Sequence, residues 1–123
     1  MQRMGRVIGI KPQCIERYKE LHAQPWPDII EQLKQRNIQN FSIFLREPEN
    51  LLFSYWEYTG TDFEADFARS KDDPRTRQWW ELTAPLQNPL DSRESGEWWA
   101  PACLLYTSPS PRDATLSRMP SSA

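Results

Sequence analysis

His22 is the only histidine of the chain, four residues after Tyr18 and four before Trp26, just ahead of Pro27. The segment from Ile15 to His22 reads as a helix, and a spacing of four stacks side chains on one helical face. That face offers a phenol, then an imidazole, then an indole. An unperturbed imidazole titrates at about pH 6.5, so it can give or take a proton under ordinary conditions. Proton transfer is therefore the chemistry these residues suit. Of the acidic residues, Glu16, Glu20, Glu31 and Glu81 read as solvated helix faces. Glu57, on a strand, is the candidate carboxylate partner for His22.

Several elements must position this face. Arg6–Ile10 reads as a first strand, with Pro12 well placed in the first turn of the helix that follows. The pair Pro25 and Pro27 breaks that helix, since proline removes backbone bonds, and the break should present Trp26 at a fixed angle. The helical pattern resumes with Ile29, Ile30 and Leu33. Asn40–Leu45 and Leu51–Tyr58 read as two strands joined by a short polar hairpin connection. Thr61 or Asp62 can cap a helix carrying Phe63 and Phe67, with Glu64 near the capping-box position. A further helix from Arg75 carries Trp79, Trp80 and Leu82 until Pro85. Trp79 and Trp80 are adjacent, so they cannot point the same way. One more strand is expected from Trp98 onward. The order βαββαβ defines a ferredoxin-like α+β fold, an antiparallel sheet with helices on one face. Phe, Tyr and Trp on both faces of the strands imply that the open face closes against another copy or around a ligand.

Composition narrows the class. From Cys103 the sequence turns to Ser, Thr, Pro and Arg without apolar periodicity, and residues 103–123 resemble translated sequencing-adaptor DNA. Two constant blocks, 103–113 and 117–123, flank a short variable one, and scars of this kind are set apart from fold reasoning. The genuine domain is then 1–102, the tail is expected to be disordered, and the last strand is expected to be truncated. Without Arg112, Asp113 and Arg118, the totals of 15 basic and 17 acidic residues become 13 and 16. The chain has no basic patch for nucleic acid, no apolar run of membrane-spanning length and no signal segment. Within residues 1–102 a single cysteine, Cys14, excludes an internal disulfide, and one His with one Cys supplies metal poorly. A cytoplasmic, soluble protein is the expectation.

Tyr18, His22 and Trp26-Pro27, then Asn40–Leu45, Asn50–Phe53 and Gln78-Trp79-Trp80, are in order and spacing similar to the L-rhamnose mutarotase family. The resemblance runs from about Val7 to Trp99. It implies a small dimeric α+β barrel that interconverts the α and β anomers of L-rhamnose without a cofactor. It also implies that His22 is the proton donor and that Tyr18, position 41, Trp79 and Trp80 contact the sugar. Position 41 departs from the pattern, because the family's tyrosine is here Phe41. Either the lost bond is supplied elsewhere, with Tyr55 or Tyr58 the candidates, or the preferred sugar is L-fucose or another 6-deoxy-hexose. A site built to bond a hydroxyl discriminates strongly, so the change bears on specificity. Two other readings fit the same architecture: a cofactor-free monooxygenase acting on an apolar aromatic substrate, and a non-catalytic binding domain in which His22 is incidental.

Overall fold

A computed structural model describes residues 1–109. The first strand, β1 (Gln2–Ile10), leads through a 3-10 turn at Pro12–Cys14 into α1 (Ile15–Ala23) and α2 (Pro27–Gln35). Then follow β2 (Ile38–Arg46), β3 (Leu51–Tyr58), α3 (Phe63–Asp72) and α4 (Pro74–Thr83). Two short strands close the order, β4 (Gln87–Asn88) and β5 (Ala100–Ala102). The antiparallel sheet runs β2-β3-β1-β4, and β5 also pairs with β1. This is the expected ferredoxin-like α+β arrangement, with the last part of the chain returning to the first strand.

Local chemistry sets the boundaries. Pro27 occupies the first turn of α2, where a missing N–H costs nothing, so the helical pattern splits into two helices at the proline pair. Asp62, rather than Thr61, caps α3 by accepting from the Ala65 N–H at 3.2 Å. Asp73 caps α4 by accepting from the Thr76 N–H at 2.7 Å. At β2 the register shifts between Gln39 and Ser42, and Asn40 there has a φ of 52°. Asn tolerates that conformation better than most residues, and a bulge re-aims the side chain beside it. The re-aimed residue is Phe41, which stacks on Trp56.

Parity then sorts the sheet. Residues directly opposite in neighbouring strands share a face. Ile8 and Ile10 of β1, Leu52 of β3, and Ile43 and Leu45 of β2 lie under the helices and pack with Ile15 and Tyr18 of α1. The other face carries Val7, Phe53 and Phe44 in register, and Phe44 and Phe53 are 62% and 42% exposed.

Two differences from the sequence reading concern the C-terminal part. The strand β4 lies ahead of the expected one, made possible because Gly9 has no Cβ to collide with the Asn88 carbonyl. The strand expected from Trp98 is present as β5 but spans only three residues, opposite Gly5–Val7. Residues 103–109 carry no regular structure, and Leu104, Leu105 and Tyr106 are exposed. The rest of the tail, 110–123, lies outside the described residues. Among the described residues, no helix is long and apolar enough to cross a membrane.

Candidate active site

The site grows from α1. Tyr18 and His22, one helical turn apart, stack with ring centroids 4.2 Å apart and planes 23° from parallel. Trp79 of α4 meets the imidazole edge-on at 5.4 Å. Trp26 meets Trp79, not His22, at 5.3 Å. The break between α1 and α2 thus makes Trp26 a support for Trp79. Arg75 fixes Trp26 in turn, its guanidinium 3.6 Å from the indole centroid and 3.1 Å from Asp28.

Two hydrogen-bond chains set which protons the site can offer. The Nδ1 of His22 lies 2.9 Å from the Tyr18 backbone carbonyl. A carbonyl only accepts, so Nδ1 carries the hydrogen and Nε2 keeps the lone pair. Burial lowers the His22 pKa below the usual value, and the bond to the Tyr18 carbonyl works against that shift. Near pH 7 the imidazole is therefore neutral, with a lone pair on Nε2.

The second chain begins at Trp98, whose Nε1–H donates to Gln87 Oε1 at 2.7 Å. An indole N–H can only donate, so the Gln87 amide must point its nitrogen the other way. That Nε2 donates to the Tyr18 hydroxyl at 3.1 Å. The phenol oxygen accepts this bond, which leaves its own O–H free to donate to a ligand. Burial raises the Tyr18 pKa, with the Gln87 bond opposing, so the phenol is a donor and not a base. A cleft of about 150 Å³ opens beside these groups, lined by Tyr18, Lys19 and His22 and by aliphatic side chains that include Ile43 and Leu52. That is below the roughly 300–1,000 Å³ of pockets for drug-sized ligands and suits a small molecule with an apolar side.

The residues singled out from the sequence divide into two groups. His22, Tyr18 and Trp79 come together. Trp80 points away from them and packs against Phe67 of α3 at 6.2 Å. Phe41 lies on the helix-covered face, stacked on Trp56 at 6.5 Å. Glu57 is not a partner of His22. It follows Trp56 in β3, so parity turns it to the other face, where it accepts from Gln39, Asn40 and Tyr55. Both tyrosines considered for the lost hydroxyl have their own O–H engaged. Tyr55 is engaged with Glu57 on that outer face, and the buried Tyr58 donates to Asp66. Gln87 and Trp98, which fix the Tyr18 hydroxyl, carry no sequence signal of that role.

The fold and the site define a small ferredoxin-like α+β protein whose cleft is lined by a phenol and an imidazole. The chain belongs to the L-rhamnose mutarotase family, whose sequence model matches residues 3–107. It is 33% identical over 99 residues to an L-rhamnose mutarotase of Mannheimia succiniciproducens, covering 79% of this chain and 92% of that one. An L-rhamnose mutarotase of Listeria monocytogenes is 32% identical over 94 residues, covering 75% and 88%. Among solved structures, the L-rhamnose mutarotase FA22100 of Formosa agariphila superposes with a TM-score of 0.69 at 20% identity, covering 89% of this chain and all of that one. The tetracenomycin F2 cyclase of Streptomyces glaucescens superposes at 0.63 with 17% identity over 89% of this chain and all of that one, a likeness of fold.

Proposed function

We propose that this protein interconverts the α and β anomers of L-rhamnose or a related 6-deoxy-hexose by general acid–base ring opening, with His22 as the proton-transfer group. The carrying observation is the pair of fixed proton sites, a neutral Nε2 on His22 beside a Tyr18 O–H held free by Gln87. Opening the ring moves one proton from the anomeric hydroxyl to the ring oxygen as the C1–O5 bond breaks and the C1=O1 bond forms. Neutral His22 takes the proton from O1, and the resulting imidazolium is the donor to O5. Tyr18 O–H bonds the sugar and holds it in place. Rotation about C1–C2 turns the other face of the aldehyde toward O5, and the reverse transfers close the ring as the other anomer. A positioned group of this kind contributes about 10²–10⁴-fold, enough for a reaction that also runs unaided.

Trp79, closing the imidazole edge, supports an apolar wall for the methyl and C–H surface of a 6-deoxy sugar. Trp80 and Phe41 enter this reading as sugar contacts from the family pattern, since neither lines the cleft beside His22. The proposal needs no cofactor and is accompanied by a cytoplasmic location. It also includes a homodimer closed through the outer sheet face. Exposed Phe44 beside exposed Phe53, in register with Val7, gives a self-complementary apolar strip of the kind that symmetric dimers bury.

Saturation transfer between the anomeric proton signals of L-rhamnose, and separately of L-fucose, tests the reading. Protein-dependent exchange with either sugar is expected. Exchange with neither, alongside binding of an aromatic quinol, would move the assignment to the monooxygenase reading.

A further inference from the structure

Arg6 is half-buried on the helix-covered face, yet among the described residues its guanidinium makes neither a hydrogen bond nor an ion pair. It packs over the rings of Trp56 at 5.3 Å and Phe63 at 5.9 Å. Burial lowers its pKa, against the charge of Glu97. A desolvated cation with unused donors is expensive unless something fills them.

Its position says what that could be. Arg6 lies opposite Ser54, and Ser54 lies opposite Ile43, which lines the His22 cleft. Neighbouring strands are about 4.8 Å apart, so Arg6 begins roughly 10 Å across the same face from the cleft wall, and its guanidinium lies over Trp56, the ring on which Phe41 stacks. Through Phe63 and Phe67, that cluster runs on to Trp80. Arg6 therefore shares an aromatic neighbour with position 41, one of the positions expected to hold the sugar and the one where a hydroxyl is missing. With Tyr55 and Tyr58 both committed elsewhere, it is a free charged donor on this face.

Resting on the mutarotase reading, we infer that Arg6 is a specificity-determining residue of this site, donating from its guanidinium to the sugar hydroxyl that Phe41 cannot bond. A hydrogen bond from a charged donor is stronger than one from a phenol, so the exchange changes which hydroxyl arrangement is preferred.

The test uses R6M, which keeps the stem over Trp56 and Phe63 but removes the donors, and R6K, which keeps charge but not the planar fork. L-rhamnose affinity is read directly by tryptophan-fluorescence titration, and half-saturation and maximal rate by anomeric exchange. R6M is expected to weaken affinity by about tenfold or more with maximal rate changed less than about threefold, and R6K to weaken it by a smaller factor. Adding F41Y to R6M should recover at least a third of the loss on a logarithmic scale, while F41Y alone gains less. Affinity in R6M within twofold of native, or a gain from F41Y equal in both backgrounds, overturns the inference. Should R6M not fold, R6K at native affinity overturns it, and R6K with weakened affinity restored by F41Y sustains it. A native protein that binds L-rhamnose without exchanging its anomers overturns the mutarotase reading while the affinities still judge Arg6. One that binds no 6-deoxy sugar overturns both.

Discussion

Replacing Gln87 by methionine removes the amide that orients the Tyr18 hydroxyl while nearly conserving volume. Tyr18 is 6% exposed, and in this variant the side of its oxygen that accepted from Gln87 faces a methionine side chain in place of a donor. Trp98 is 44% exposed, and its indole N–H can find water in place of the lost bond. The cost is therefore that of one buried unsatisfied group, about 1–3 kcal/mol. For a domain of this size, each kcal/mol lowers Tm by about 4–8 °C. Y18F leaves the Gln87 amide N–H unmet and should cost a similar amount. The double variant leaves neither orphan, so Y18F/Q87M should be more stable than the sum of the single losses by about 1 kcal/mol or more. Urea unfolding followed by tryptophan fluorescence measures all four proteins. Anomeric exchange supplies a second readout: Q87M frees the phenol to turn away from the sugar, and the rate should fall about two- to tenfold. In the Y18F background Q87M should have little further effect on rate. Strictly additive stabilities, or an equal loss of rate with and without the phenol, would refute the proton arrangement derived for the site.

Other outcomes follow from the same geometry. His22 works from its neutral form and its pKa is lowered by burial, so kcat/KM should rise with pH, reach half-maximum below pH 6.5 and stay level above it. A rate that instead falls as pH rises through that region would show the imidazolium to be the resting form. F44E should convert a dimer to a monomer in light-scattering measurements, since the exposed Phe44 lies in the strip proposed to close it; an unchanged mass would remove that face from the interface. A chain ending at Ala102 should keep native Tm to within about 2 °C, because residues 103–109 are exposed and carry no regular structure. A large loss of Tm would assign the tail a structural role.

The helical repeat made Tyr18 and His22 legible, because a spacing of four brings side chains together before any tertiary structure is known. The proline pair was legible as a break for an equally local reason. What the break does was not: Trp26, expected on the imidazole face, turns to Trp79 once the helix restarts. Glu57 was misplaced because aromatic residues occur at both parities of β3, leaving the buried face unassigned until the helices pack. Afterwards Trp56 and Tyr58 point inward and Glu57 outward. Gln87 lies 69 residues from Tyr18 and 11 from Trp98, in a two-residue strand with no periodicity to betray it. The adjacent tryptophans were expected to diverge, and Trp79 and Trp80 do. Position 41 was recognisable as a departure from the family pattern, but the bulge that turns it onto Trp56 depends on register, which a single strand does not reveal.

The most direct test of the account is anomeric exchange of L-rhamnose by native protein and by H22Q, which keeps polarity and approximate size but cannot be protonated. If His22 carries the proton, protein-dependent exchange falls by at least about a hundredfold in H22Q, with sugar affinity changed only a few-fold. Exchange at the native rate in a folded H22Q protein would contradict the account, and proton transfer would then have to be assigned away from His22.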